Sequence, residues 1–169
     1  ILQHSSFSIP HSPFPIPPSP IPPMRIAIGS DHRGYHLKEQ IIAMLRAKHH
    51  DVDDEGATGS ESVDYPDFAA LVARKVSQRA VDRGILICGT GIGMAIAANK
   101  FPGVRAAPCS DEVTAEISRR HNDLNVLCLS ADMLSPRTVE RMVEVWIATP
   151  FEGGRHERRV EKIHQLENQ

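Results

Sequence analysis

The sequence predicts an α/β protein: a five-stranded parallel sheet with helices on both faces, in three layers. Two observations carry this. From Met24 onward short β-rich runs alternate with longer stretches of helical period, and the alternation repeats five times. The helical stretches also each keep their apolar residues on one side, as covers for a sheet must.

In chain order the first expected strand is Arg25–Gly29 (RIAIG), followed by a helix whose face is Leu37, Ile41, Met44 and Leu45. The second strand, around Val52–Glu55, reads VDDE and is weakly apolar, which predicts an edge position. Phe68, Val72 and Val76 share the next helical face, and Gly84–Cys88 (GILIC) is the third strand. Val104–Pro108 and Asn125–Leu129 are the fourth and fifth strands, and Val139, Val143 and Trp146 form the closing helical face. Ligands of such sheets bind beyond the carboxyl ends of the strands, where the strand order reverses. That rule singles out SDHRG after the first strand and CGTGIG after the third, with RRHND before the fifth.

Composition narrows the class. The chain has 169 residues, enough for one domain, and a formal charge of −2 offers no basic field for nucleic acid or an anionic membrane. No apolar run has the length of a membrane span. Cys88, Cys109 and Cys128 form no CxxC pair and no zinc spacing, which predicts reduced thiols and a cytoplasmic location. Residues 1–23 hold eight of the 13 prolines and no Lys, Arg, Asp or Glu. Proline fixes φ and removes backbone donors, so an extended, disordered extension is expected there, with the folded domain at 24–169. The segment lacks the charged start and uninterrupted apolar stretch of a secretory signal and the arginines of a transit peptide. A docking role for it is the alternative.

The glycine loop Gly89–Gly93 is not a nucleotide motif. Its GxGxG spacing follows the third strand, where a dinucleotide fingerprint needs GxGxxG after the first, and GK[ST] is absent. Glycines opening a helix let several N–H groups converge into an anion-accepting concavity. Cys88 stands where a strand delivers its last side chain, and a thiolate there could take a carbon-bound proton while the amides hold the oxyanion. A buried structural cysteine beside a plain turn is the competing reading for Cys88 alone.

Three further groups bear on that choice. Asp31 is a natural N-cap for the following helix, or a ligand for a hydroxyl, and His32 could meet an anion. His121, followed by Asn122, titrates near neutrality and could move protons, or could be a surface histidine at a helix end. Arg155 and Arg159, four apart after Gly-Gly, suit a phosphate, or a solvated basic face. The last helix is so charged that it is expected to lie across a partner subunit.

Taken in order, SDHRG, DYPD, CGTGIGMAIAANKFPGVRA, RRHNDLNVL and TPFEGGRHERRV resemble the type B ribose-5-phosphate isomerases, relatives of the galactose-6-phosphate and allose-6-phosphate isomerases. The resemblance runs from Arg25 to about Ile163. It implies a Rossmann-like aldose–ketose isomerase without metal or nucleotide cofactor, dimeric and open to pairing into tetramers. By resemblance Cys88 is the base between C2 and C1. The amides of Gly89, Gly91, Ile92 and Gly93, with Thr90, hold the enediolate. His121 opens the furanose ring beside Asn122, both coming from the opposite subunit. Asp31 binds sugar hydroxyls, Tyr65 lines the pocket, and His32, Arg155 and Arg159 bind phosphate. Asn99 is expected to brace the loop's helix. One position departs: where the family commonly carries a phosphate-binding arginine, this chain has Asp132 in CLSADMLS. Two like charges 4 Å apart cost about 4 kcal/mol at an effective dielectric of 20, so Asp132 points elsewhere or the substrate differs. A hexose 6-phosphate substrate and a non-catalytic phosphosugar-binding module are the alternative functions.

Overall fold

The computed structural model describes residues 21–167. The expectation for the proline-rich start falls mostly outside the described residues. Of its last three, Ile21 packs against the main core.

Five strands form one parallel sheet: β1 (Arg25–Ser30), β2 (Asp51–Asp54), β3 (Arg83–Cys88), β4 (Ala106–Pro108) and β5 (Val126–Ser130), in the order β2-β1-β3-β5-β4. β2 begins one residue ahead of the weak run VDDE and ends at Asp54, and it is an edge strand, as the run's polarity predicted. Six helices accompany them: α1 (Tyr35–Ala47), α2 (Tyr65–Ser77), α3 (Ile92–Ala98), α4 (Glu112–Asn122), α5 (Pro136–Ala148) and α6 (Arg155–Leu166). The chain steps outward from β1 to β2 and then crosses back to β3, so the order reverses between the carboxyl ends of β1 and β3.

The pleat sorts the strand side chains onto two faces. Ile26, Ile28, Ile85, Ile87, Leu127 and Leu129 pack with α1 and α5 in one core, which includes the fully buried Trp146. Ala27, Leu86, Val126 and Cys128 face α2 and α3 in the other. Burial of each large aliphatic side chain contributes about 1.5–3 kcal/mol, so the faces lock the register and with it the positions of the strand ends. Cys88 belongs to the α2–α3 face.

One element differs from expectation in detail. β4 begins at Ala106 and not at Val104, because Val104 N–H turns back to the carbonyl of Phe101 and Arg105 N–H is taken by the Asn125 side chain. The charged α6 packs on α4 of its own chain through buried His156 and Val160. Asn99 acts as expected of a brace: its amide exchanges two 2.8 Å hydrogen bonds with the backbone of Ala106, tying the end of α3 to the edge strand.

Candidate active site

The carboxyl ends of β1 and β3 bring SDHRG and CGTGIG side by side, with Ser30 opposite Ile87 in the ladder. Cys88 is 5% exposed, and its Sγ accepts a hydrogen bond from Gly91 N–H at 3.1 Å. The loop is held from β5: Ala131 N–H donates to the Cys88 carbonyl at 2.9 Å, and Ser130 Oγ donates to the Gly89 carbonyl at 2.6 Å. With these carbonyls tied to one side, the peptide planes aim their N–H groups to the other. Among the described residues the N–H groups of Gly89 and Thr90 find no acceptor. Thr90 Oγ1 accepts from Ile92 N–H at 3.3 Å, which leaves its own proton to donate.

Two of the loop glycines have separate reasons. Gly91 has φ +77°, and a Cβ there would lie 3.2 Å from Leu129 backbone atoms. Gly93 has no such φ, but a Cβ would lie 2.6 Å from Cζ of Tyr65, so its lack of a side chain lets the Tyr65 ring lie on the loop.

Asp31 is 5% exposed, and its Oδ1 accepts from the N–H groups of Arg33 and Gly34 at 2.9 and 3.1 Å. It therefore caps the turn ahead of α1, and among the described residues Oδ2 makes no hydrogen bond. His32 Nδ1 accepts from Val63 N–H at 3.3 Å, so in the neutral ring the proton sits on Nε2. Arg33, which the sequence reading passed over, reaches Asp132: its Nη2 lies 2.5 Å from Asp132 Oδ2, and the two together cover Gly89. Its proton is held more tightly by the bond to Asp132 and that residue's charge, with smaller help from Asp31 and Cys88.

His121, Asn122, Arg155 and Arg159 stand elsewhere. α4 runs antiparallel to the strands, so its last turn lies at the amino-terminal edge of the sheet, where Arg105 binds the carbonyls of Asn122 and Asp123. Across a strand like β3 that edge is roughly 16 Å from the Cys88 end. One chain thus carries two clusters of expected site residues, one at each end of its sheet. A cavity of about 710 Å³ also opens at the amino-terminal edge, beside Arg25, Arg79, Arg105 and His164, and includes none of the expected site residues.

Beside His121 stand two residues to which the sequence reading gave no role, Glu152 and His156. The rings of His121 and His156 are stacked, with centroids 4.1 Å apart and planes 4° from parallel. Glu152 Oε2 lies 3.8 Å from Nε2 of His121 and 3.6 Å from that of His156, and Arg120 holds its other oxygen. Arg155 Nε donates to His156 Nε2 at 3.3 Å, and burial, with the charges of His121 and Arg155, pushes the His156 pKa down. Ligand atoms of His121, Glu152 and His156 lie within 4.8 Å of one another, the spacing of a metal trio. In parallel rings, however, the in-plane lone pairs run side by side and do not converge on a common point, so the trio as arranged suits proton transfer better than metal ligation. The i, i+4 spacing of Glu152 and His156 was the available signal.

Fold and site together define a parallel α/β protein with a thiol and an amide cradle at its strand ends and a histidine–arginine cluster at the opposite edge. The profile of the Ribose/Galactose Isomerase family matches residues 26–163, and the chain belongs to that family. It is 46% identical over 143 residues to ribose-5-phosphate isomerase B of Escherichia coli, across 85% of this chain and 96% of that protein. Its fold is similar to that of ribose-5-phosphate isomerase B of Clostridium thermocellum, with a TM-score of 0.85 and 48% identity over 86% of this chain and 98% of the other. The Mycoplasma genitalium ribose-5-phosphate isomerase B solved with bound ribulose-5-phosphate matches with a TM-score of 0.83 and 45% identity, over 86% and 97% of the two chains.

Proposed function

We propose that the protein interconverts ribose 5-phosphate and ribulose 5-phosphate by proton transfer between C2 and C1. The observation that carries this is Cys88 Sγ, held by Gly91 N–H next to the N–H groups of Gly89 and Thr90, which find no acceptor among the described residues. A base and an oxyanion cradle so placed are what an enediolate requires. The relatives named above supply the substrate.

In this reading His121 takes the anomeric proton and passes it to the ring oxygen as the C1–ring-oxygen bond breaks, opening the furanose to the aldehyde. Cys88 thiolate removes the C2 proton; the electron pair forms the C1–C2 double bond, and O1 takes the charge, held by the loop amides. A proton passes from O2 to O1, and the Cys88 thiol returns its proton to C1. The product carries the carbonyl at C2. Asp31 Oδ2 and Asn122 orient hydroxyls, Tyr65 closes the pocket, and His32, Arg155 and Arg159 take the phosphate. No step in this scheme calls for a cofactor.

The scheme needs two copies, because the thiol and the histidine lie at opposite ends of one sheet. A two-fold dimer brings each thiol end to the other chain's histidine end, twice over. Ile92 and Ile96 on α3 and Val113 and Ile117 on α4 are each at least 40% exposed and supply an apolar surface for the contact. Three free buried cysteines suit the reducing cytoplasm, and among the described residues no helix is long and apolar enough to cross a membrane.

The test is conversion of ribose 5-phosphate with a chelator present, beside Cys88→Ala. We expect turnover in the first and a loss of about 10²–10⁴-fold in the second, together with loss of deuterium exchange at C2 in D₂O. A folded wild-type protein inert toward ribose 5-phosphate but active on allose or galactose 6-phosphate moves the substrate, not the chemistry. A Cys88→Ala protein that still exchanges removes the thiol from the mechanism.

A further inference from the structure

Arg33 is a cation in an unfavourable place. It sits in the turn just ahead of α1, where the helix dipole already presents positive charge, and α1 has no acidic residue in its first turn to offset it. Its side chain is 55% exposed, so burial does not explain it. Two carboxylates manage it: Asp31 binds its backbone N–H, and Asp132, from the loop after β5, binds Nη2. The Asp132 backbone is in turn fixed, its N–H donating to the Gly89 carbonyl at 3.2 Å. The guanidinium is thus anchored at one corner on the rim of the Cys88 crevice, next to His32 in sequence. An arginine fork has five N–H donors, and among the described residues only Nη2 makes a hydrogen bond. A half-neutralised, pre-oriented fork beside a histidine with a free Nε2–H suits a doubly charged, three-oxygen anion.

We propose that Arg33, positioned by Asp132, is a ligand of the substrate phosphate and a specificity-determining residue for phosphorylated sugars. This rests on the isomerase reading. Asp132 does not then confront the phosphate as a bare acid, because its charge is spent on Arg33. The like-charge conflict that an acid at this position raises is removed within the chain, and ribose 5-phosphate stays an acceptable substrate.

The test pairs kinetics with a readout that needs no turnover. KM and kcat for ribose 5-phosphate are measured for the wild type, Arg33→Ala, Arg33→Lys and Asp132→Asn. The concentration of inorganic phosphate that half-protects Cys88 from iodoacetamide is measured on the same proteins. Arg33→Ala is expected to raise KM roughly 10- to 100-fold with kcat within about 3-fold, and to raise the protecting phosphate concentration in step. Arg33→Lys should recover part of both, and Asp132→Asn should raise KM by a smaller factor at unchanged kcat, as a positioning role requires. Unchanged KM and unchanged protection in Arg33→Ala overturn the proposal and leave an ordinary surface ion pair. So does a wild type that phosphate fails to protect. A wild type that phosphate protects but that does not isomerise ribose 5-phosphate fails the functional reading alone, and the protection series still decides the role of Arg33.

Discussion

Gly91 and Gly103 have nearly the same backbone, φ +77° and +74°, but different surroundings: a Cβ on Gly91 meets Leu129 backbone at 3.2 Å, and one on Gly103 meets nothing within 4 Å. Gly103→Ala should therefore cost only the left-handed strain, about 1–2 kcal/mol. Gly91→Ala should cost about 1–3 kcal/mol more, because backbone cannot yield as a side chain can. It should also lower kcat, since the Gly91 N–H that holds Sγ must move. Denaturant unfolding of both variants checks the ranking, and equal midpoints would contradict it. At this scale the sequence was half legible. Cys88, Asp31 and the glycine loop could be found because strand ends aim their residues at a known place. Asp132 could be seen as an odd acid, but its partner could not: Arg33 is 99 positions away, and only the strand order brings the two loops together. His156 was hidden for a related reason, since its stacking on His121 depends on how α6 packs against α4.

Among the elements, the strands were the most legible and the contacts of α4 and α6 the least. Apolar runs announce strands by themselves, whereas α4 buries only Ala115, Ser118 and Arg119 and α6 only His156 and Val160, too little for a clear stripe. The shortened start of β4 depends on the Asn125 side chain taking the Arg105 N–H, which no local pattern reveals. The buried histidines of these peripheral contacts have a measurable consequence. Burial lowers the pKa of His156 on α6, and likewise that of His50, whose Nδ1 accepts from Met24 N–H ahead of β1. Unfolded, both take up a proton near pH 6.5; folded, only at lower pH. Between those values the unfolded chain binds more protons, so stability rises with pH. The contribution is complete above about pH 6.5 and is lost as the pH falls through the folded values. The urea midpoint should climb between pH 5 and 7, and His50→Gln should flatten part of that climb. A midpoint falling over the same range would contradict the assignment.

For the molecule as a whole, the split between the two ends of the sheet is the feature with the widest reach. If each site joins the Cys88 end of one chain to the His121 end of another, two dead variants can repair each other. Cys88→Ala and His121→Ala chains, mixed and allowed to exchange, should form half heterodimers with one intact site of two, restoring about a quarter of wild-type activity. No recovery despite proven exchange would mean that each chain works alone. In the sequence this division is implied only through resemblance, because which edge of a sheet a helix ends on follows from topology and not from any residue. If sites are shared in this way, the amount of protein is also a control in itself. Where chains are scarce enough to be mostly single, the number of complete sites grows with the second power of concentration. Halving the supply of chain in that regime removes three quarters of the turnover, so a modest change in expression becomes a steep change in flux.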